Sequence, residues 1–118
     1  MTLQCTEDKW NKILDVNLKA PYYLAQMVVP EMLKRGGGNI INLGSVTGVH
    51  PIPVRHSISN FKTVLKFTIL QLLGPYGVSK AALLFLTKVL SSELAPQNIR
   101  VNMIAPGLID TAFASKVS

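Results

Sequence analysis

Tyr76 and Lys80 stand four positions apart in Tyr-Gly-Val-Ser-Lys. On a helix that spacing puts both side chains on one face. A free phenol, with a pKa of about 10, is a poor acid–base catalyst at neutrality, and a neighbouring ammonium favours the phenolate. The pair therefore has the makings of a proton donor and its electrostatic support. A surface tyrosine beside a solvated lysine has the same spacing, so the pair alone decides nothing. Ser45 follows a short apolar run, Asn-Ile-Ile-Asn-Leu-Gly. A serine at the carboxyl end of a strand can hydrogen-bond a ligand oxygen, and it can equally be a turn serine serving local backbone. Pro106-Gly-Leu-Ile-Asp-Thr111 follows a second apolar run. There Gly107 allows close backbone approach to a ligand and Thr111 offers a hydroxyl; a plain loop exit would read the same way.

These residues need elements to hold them. Thr6 reads as a helix N-cap, with Glu7 and Asp8 in the first turn. Trp10, Ile13, Leu14, Asn17, Leu18, Leu24, Ala25, Val28, Val29 and Met32 recur at helical spacing, predicting a helix to about Lys34. Pro21 and Pro30 interrupt it, with a kink or a short break expected near Pro21, and Gly36-Gly37-Gly38 ends the helix. Residues 39–43 predict a buried parallel strand, and residues 44–53 a loop. A second helix is expected over residues 76–94, with Pro75 just before it and Pro96 just after it. Residues 99–105 predict the next strand. Helix, strand, helix, strand implies a parallel sheet with crossovers. Two strands do not make a stable doubly wound sheet, so residues 1–118 read as one partial α/β domain.

Composition narrows the classes. The chain has 118 residues, 48% apolar, 15% charged and 7% aromatic, which suits one domain with an aliphatic core and excludes a disordered chain. No apolar run approaches the roughly twenty residues of a membrane span, and residues 1–10 do not read as a signal peptide. The single cysteine, Cys5, fits a reducing compartment. The net charge of +6 is scattered without basic runs or aromatic interleaving, which speaks against nucleic acid. No metal ligand set is assigned.

In combination the three features become specific. Asp-Val-Asn-Leu-Lys-Ala-Pro over residues 15–21, the strand and serine over residues 39–48, Tyr76 with Lys80, Leu-Ala-Pro-Gln-Asn-Ile-Arg-Val-Asn over residues 94–102 and the Pro106–Thr111 loop together resemble the classical short-chain dehydrogenase/reductase family. The wording is most similar to its NADPH-dependent carbonyl and retinal reductases. The resemblance implies a partial Rossmann-type doubly wound parallel sheet and an NADP or NAD cofactor. It implies a small carbonyl or alcohol substrate and oligomers with itself or with family subunits. A cytoplasmic location is expected. Site roles carry over with it. Tyr76 would be the general acid, and Ser45 would hold the carbonyl oxygen. Lys80 would bind the nicotinamide ribose beside Tyr76, and Asn17 would support a water in a proton relay. Pro106, Gly107, Ile109 and Thr111 would dock the nicotinamide.

Two departures stand against that pattern. The glycines, at 36, 37, 38, 44, 48, 74, 77 and 107, nowhere form the family's glycine-rich pyrophosphate turn, and Asn-Asn-Ala-Gly is absent. The chain is expected to stop before the family's substrate-covering helices and last strand. Ser45 and Tyr76 lie 31 positions apart, 18 more than in the family, and excising residues 54–71 restores the spacing. Val54-Arg55 is what GTR-AGR codons spell and Gln71 is what CAG spells, so residues 54–71 are expected to be translated intron; a genuine lid insertion is the alternative. Three functional readings follow: a carbonyl reductase impaired by the missing turn, a non-catalytic chain that binds full-length family subunits through its two long helices, or a fragment without function.

Overall fold

The structure, a computed structural model, describes residues 2–51, 63–107 and 109, and of residues 63–72 the backbone alone. Helix α1, Glu7–Leu14, passes into a π-helical turn, Asp15–Lys19, and then into helix α2, Ala20–Lys34. The predicted first helix is therefore continuous, and its irregularity is a wider turn just before Pro21. The amide of Ala20 donates to the carbonyl of Asp15, five residues back. An α-helix would aim the amide of residue 21 at the Asn17 carbonyl, and proline has none. Widening the turn accommodates that loss.

Strand β1, Gly38–Leu43, pairs in parallel with strand β2, Ile99–Ile104, from Gly38 opposite Ile99 to Leu43 opposite Ile104. Their starts are tied by Asn98, which takes the left-handed conformation at φ 59° that asparagine tolerates. Its side chain donates to the Gly36 carbonyl at 2.9 Å, and its own carbonyl accepts from the Gly38 amide at 3.1 Å.

Helix α3, Thr63–Leu94, corrects the expected start at Tyr76: the helix is 32 residues long and runs straight through Pro75. Its first nine residues lie within the 54–71 stretch, whose other residues fall outside those described. The interior proline removes one backbone bond, to the Gln71 carbonyl. Residues 63–72 are nonetheless rich in straight-chain helix formers such as Leu65, Lys66, Leu70, Gln71 and Leu72, and Pro75 itself is fully buried.

The core lies between α3 and one face of the sheet. Leu83 of α3 and Ile99 and Val101 of β2 are buried there, with Ala25 of α2. Asn42 of β1 donates to buried Thr87 of α3 at 2.9 Å, and Thr87 donates to the Leu83 carbonyl at 2.8 Å. The other sheet face carries Ile41, Leu43 and Ile104, all exposed. The expectation of a strand buried on both faces is therefore corrected: β1 alternates, because among the described residues helices cover only one side.

Candidate active site

The carboxyl ends of β1 and β2 are joined beyond the last strand residues. The Gly44 amide donates to the Ile104 carbonyl at 2.7 Å, and the Val46 amide to the Pro106 carbonyl at 3.0 Å. The chain after β1 then folds into a short 3₁₀ turn, Val46–Gly48, with Ser45 at its N-cap. The Ser45 Oγ accepts from the Thr47 amide at 3.2 Å and from the Thr47 hydroxyl at 2.9 Å. A hydroxyl has two lone pairs and one proton. With both lone pairs engaged by Thr47, the buried Ser45 is left with its O–H to give.

That turn lies directly on α3. A Cβ on Gly48 would come within 2.6 Å of the Lys80 carbonyl carbon, and one on Gly77 within 3.1 Å of the Thr47 oxygen. Glycine at both positions lets the Ser45 turn and the Tyr76–Lys80 turn of the helix approach this closely. Lys80 is 9% exposed. Its ammonium donates to the Leu43 carbonyl at 2.8 Å, two residues before Ser45. It also sits 5.6 Å from the centre of the half-buried Tyr76 ring, within cation–π range. Burial pulls the Lys80 ammonium below its ordinary pKa of 10.5, because desolvation penalises the charged form. The remaining two ammonium protons have no partner among the described residues.

Asn17 projects from the π turn onto α3, where its side-chain amide donates to the Ser79 hydroxyl at 3.0 Å. Asn17, Ser45, Tyr76 and Lys80, separated by up to 63 positions of sequence, thus share one end of the α3–sheet interface. Pro106 joins them through its carbonyl. Gly107 is exposed, with nothing within 4 Å of where a Cβ would stand, and Ile109 is 57% exposed. Thr111 lies outside the described residues. Two hydroxyls were not singled out from the sequence: Thr47, which orients Ser45, and Ser79, which receives Asn17. A serine three positions after Tyr76 on the same helix was the available signal for the second.

Residues 1–65 match the family model described as short chain dehydrogenase, and residues 68–118 the one described as Enoyl-(Acyl carrier protein) reductase. The two matches meet within residues 54–71. Among curated proteins the chain is similar to Dehydrogenase/reductase SDR family member 4 of Sus scrofa, 49% identical over 112 residues and 95% of this chain. The Homo sapiens protein of that name is 46% identical over the same share. The chain spans about a third, 34%, of the length of both relatives. Among solved structures, NAD+-bound xylitol dehydrogenase aligns with a TM-score of 0.75 at 28% identity, covering 95% of this chain and 36% of that one. A gluconate 5-dehydrogenase from Burkholderia cenocepacia, in complex with NADP and tartrate, aligns with a TM-score of 0.71 at 30% identity, covering 92% and 35%. Over the aligned part the architecture is a portion of the same Rossmann-type α/β fold.

Proposed function

The chain belongs to the short-chain dehydrogenase/reductase family, and from that premise we propose that its site is built for carbonyl–alcohol interconversion with NADP or NAD. The observation that carries the reading is the gathering of Ser45, Tyr76, Lys80 and Asn17 at the carboxyl end of β1. The residues present suit the nicotinamide end of such a cofactor. Gly107 leaves open space beside the exposed loop after β2, and two Lys80 protons are available for ribose hydroxyls. When bound, the cofactor supplies the hydride.

The chain's own residues handle the oxygen and its proton. Ser45, its lone pairs engaged by Thr47, donates to the substrate oxygen. The Tyr76 hydroxyl gives that oxygen its proton on reduction, and the Lys80 ammonium stabilises the phenolate left behind. Asn17 supports a water that returns the proton, because Pro21 leaves its carbonyl without the amide that an α-helix would supply. Pro106, Gly107, Ile109 and Thr111 dock the nicotinamide. Residues 1–118 act as one partial domain, with residues 54–71 as an insertion between Ser45 and Tyr76.

Thermal unfolding of the chain with and without NADPH tests the reading. A ligand of the native state at a hundred times its Kd adds about 2.7 kcal/mol, which raises the midpoint of a chain this size by several degrees. Turnover of a carbonyl substrate should then disappear in Tyr76→Phe. A midpoint unmoved by NADPH would overturn it.

A second reading has its own observation. Helix α2 leaves Tyr22, Tyr23, Leu24, Met27, Val28 and Leu33 exposed, and α3 exposes Val78 and Phe85. Apolar surface on this scale marks an interaction site. The chain would then bind full-length family subunits through these helices without catalysing anything. Co-purification with a full-length subunit supports it, and monomeric behaviour beside that subunit refutes it.

A further inference from the structure

Ser79 has no part in the chemistry above, yet it is the most buried polar side chain among the described residues, at 0% exposure. Its Oγ donates to the Tyr76 carbonyl at 2.6 Å, one turn back on α3. With its proton committed there, its lone pairs are what it presents across the interface. They meet the Asn17 side-chain amide at 3.0 Å, from a residue 62 positions away. A mid-helix serine that only bonds back to its own helix gains the helix little. The long-range bond is the one with a structural consequence.

Asn17 stands at the irregular point of its helical run. It sits in the π turn Asp15–Lys19, and its carbonyl lacks an α-helical donor because residue 21 is proline. π-helical turns inside α-helices are rare and occur frequently at functional sites. We propose that Ser79 is a positioning residue that clamps this π turn to α3 and so fixes the Asn17 carbonyl relative to Lys80, its own neighbour in sequence. The effect on turnover rests on the dehydrogenase reading; the clamp itself does not.

The test is hydrogen exchange of asparagine side-chain amides, followed by NMR in the full chain. Asn11, exposed on α1 of the same helical run, is the internal reference. The Asn17 amide should exchange about tenfold slower or more than that of Asn11. Ser79→Ala should abolish the difference and Ser79→Thr, which keeps the hydroxyl, should retain it. Equal exchange of Asn17 and Asn11 in the unmodified chain overturns the clamp, and this comparison needs no variant to fold. In turnover, Ser79→Ala should lower kcat about tenfold with KM unchanged, as expected for a slightly misplaced relay, and Ser79→Thr should recover it. Unchanged kcat in Ser79→Ala would overturn the positioning role. An unmodified chain without turnover would refute the dehydrogenase reading, while the exchange comparison would still decide the clamp.

Discussion

Gly48→Ala tests whether the Ser45 turn is seated on helix α3 as described. The new Cβ would stand 2.6 Å from the Lys80 carbonyl carbon, 2.7 Å from the Ala81 nitrogen and 2.9 Å from the Lys80 Cβ. Ordinary carbon contacts lie at about 3.5–4.0 Å, so the turn must lift by about 1 Å. The first two neighbours are helix backbone and cannot rotate away. Gly48 is not in the left-handed region, so backbone strain adds nothing. Overpacking of this kind costs about 1–3 kcal/mol. Lifting the turn also stretches the Val46–Pro106 bond of 3.0 Å, worth about 1 kcal/mol. Against this, alanine restricts the unfolded chain and returns about 0.4–1 kcal/mol. The net expectation is a destabilisation of about 1–3 kcal/mol, read as a lower urea midpoint by circular dichroism. Gly107→Ala is the control: its Cβ meets nothing within 4 Å, so stability should move by less than about 0.5 kcal/mol. Equal midpoints for the two variants would refute the seating of the turn.

Thr47→Val keeps the shape of the side chain and removes the 2.9 Å bond to Ser45; kcat for a carbonyl substrate should fall about fivefold, the kinetic equivalent of one hydrogen bond, with KM little changed. Lys80 gives a pH dependence with a definite sign. Its folded pKa lies below the unfolded 10.5, so in the window between the two the unfolded chain holds more protons, and stability rises with pH there. Lys80→Met should lack that rise in urea titrations across the window, and parallel curves for the two chains would refute the assignment. Removing residues 54–71, which joins Pro53 to Leu72, should raise the urea midpoint. It moves Pro75 from the interior of α3, where a proline costs about 3 kcal/mol, to the first turn, where it costs little. A lower midpoint would show that residues 63–71 are an integral part of the packing.

The pattern of elements was legible because it rests on local signals. Apolar runs bounded by glycine and proline placed β1 and β2 to within a residue, and helical periodicity carried the first helix to Lys34. What the sequence concealed depended on the third dimension. Pro75 reads by propensity as standing just before a helix that starts at Tyr76, but a buried proline within a well-supported helix is tolerated, and α3 begins thirteen residues earlier. The π turn left no trace beyond Pro21, since one extra residue in a turn does not disturb apolar spacing over so short a stretch. The alternation of β1 escaped for another reason: Ile41 and Leu43 look like core in sequence, and only the placement of α3 decides which sheet face is covered. Of the site, Ser45, Tyr76 and Lys80 could be read because their types and spacing carry chemistry. Ser79 and the Leu43 carbonyl could not, because a buried hydroxyl and a backbone oxygen gain their meaning only from their partners.

The long separation of Ser45 and Tyr76 bears differently on the site once those partners are known. By closure entropy alone, 18 further residues between Ser45 and Tyr76 cost under about 1 kcal/mol. The junction it must close is held independently by the Lys80 bond to the Leu43 carbonyl at 2.8 Å and by the tight seating of Gly48 and Gly77. Those contacts lie between β1 with the turn that follows it and the part of α3 after Pro75, and none of them involves residues 54–71. The arrangement of Ser45, Tyr76 and Lys80 is thus set by the strand–helix interface, and the longer connection is compatible with it.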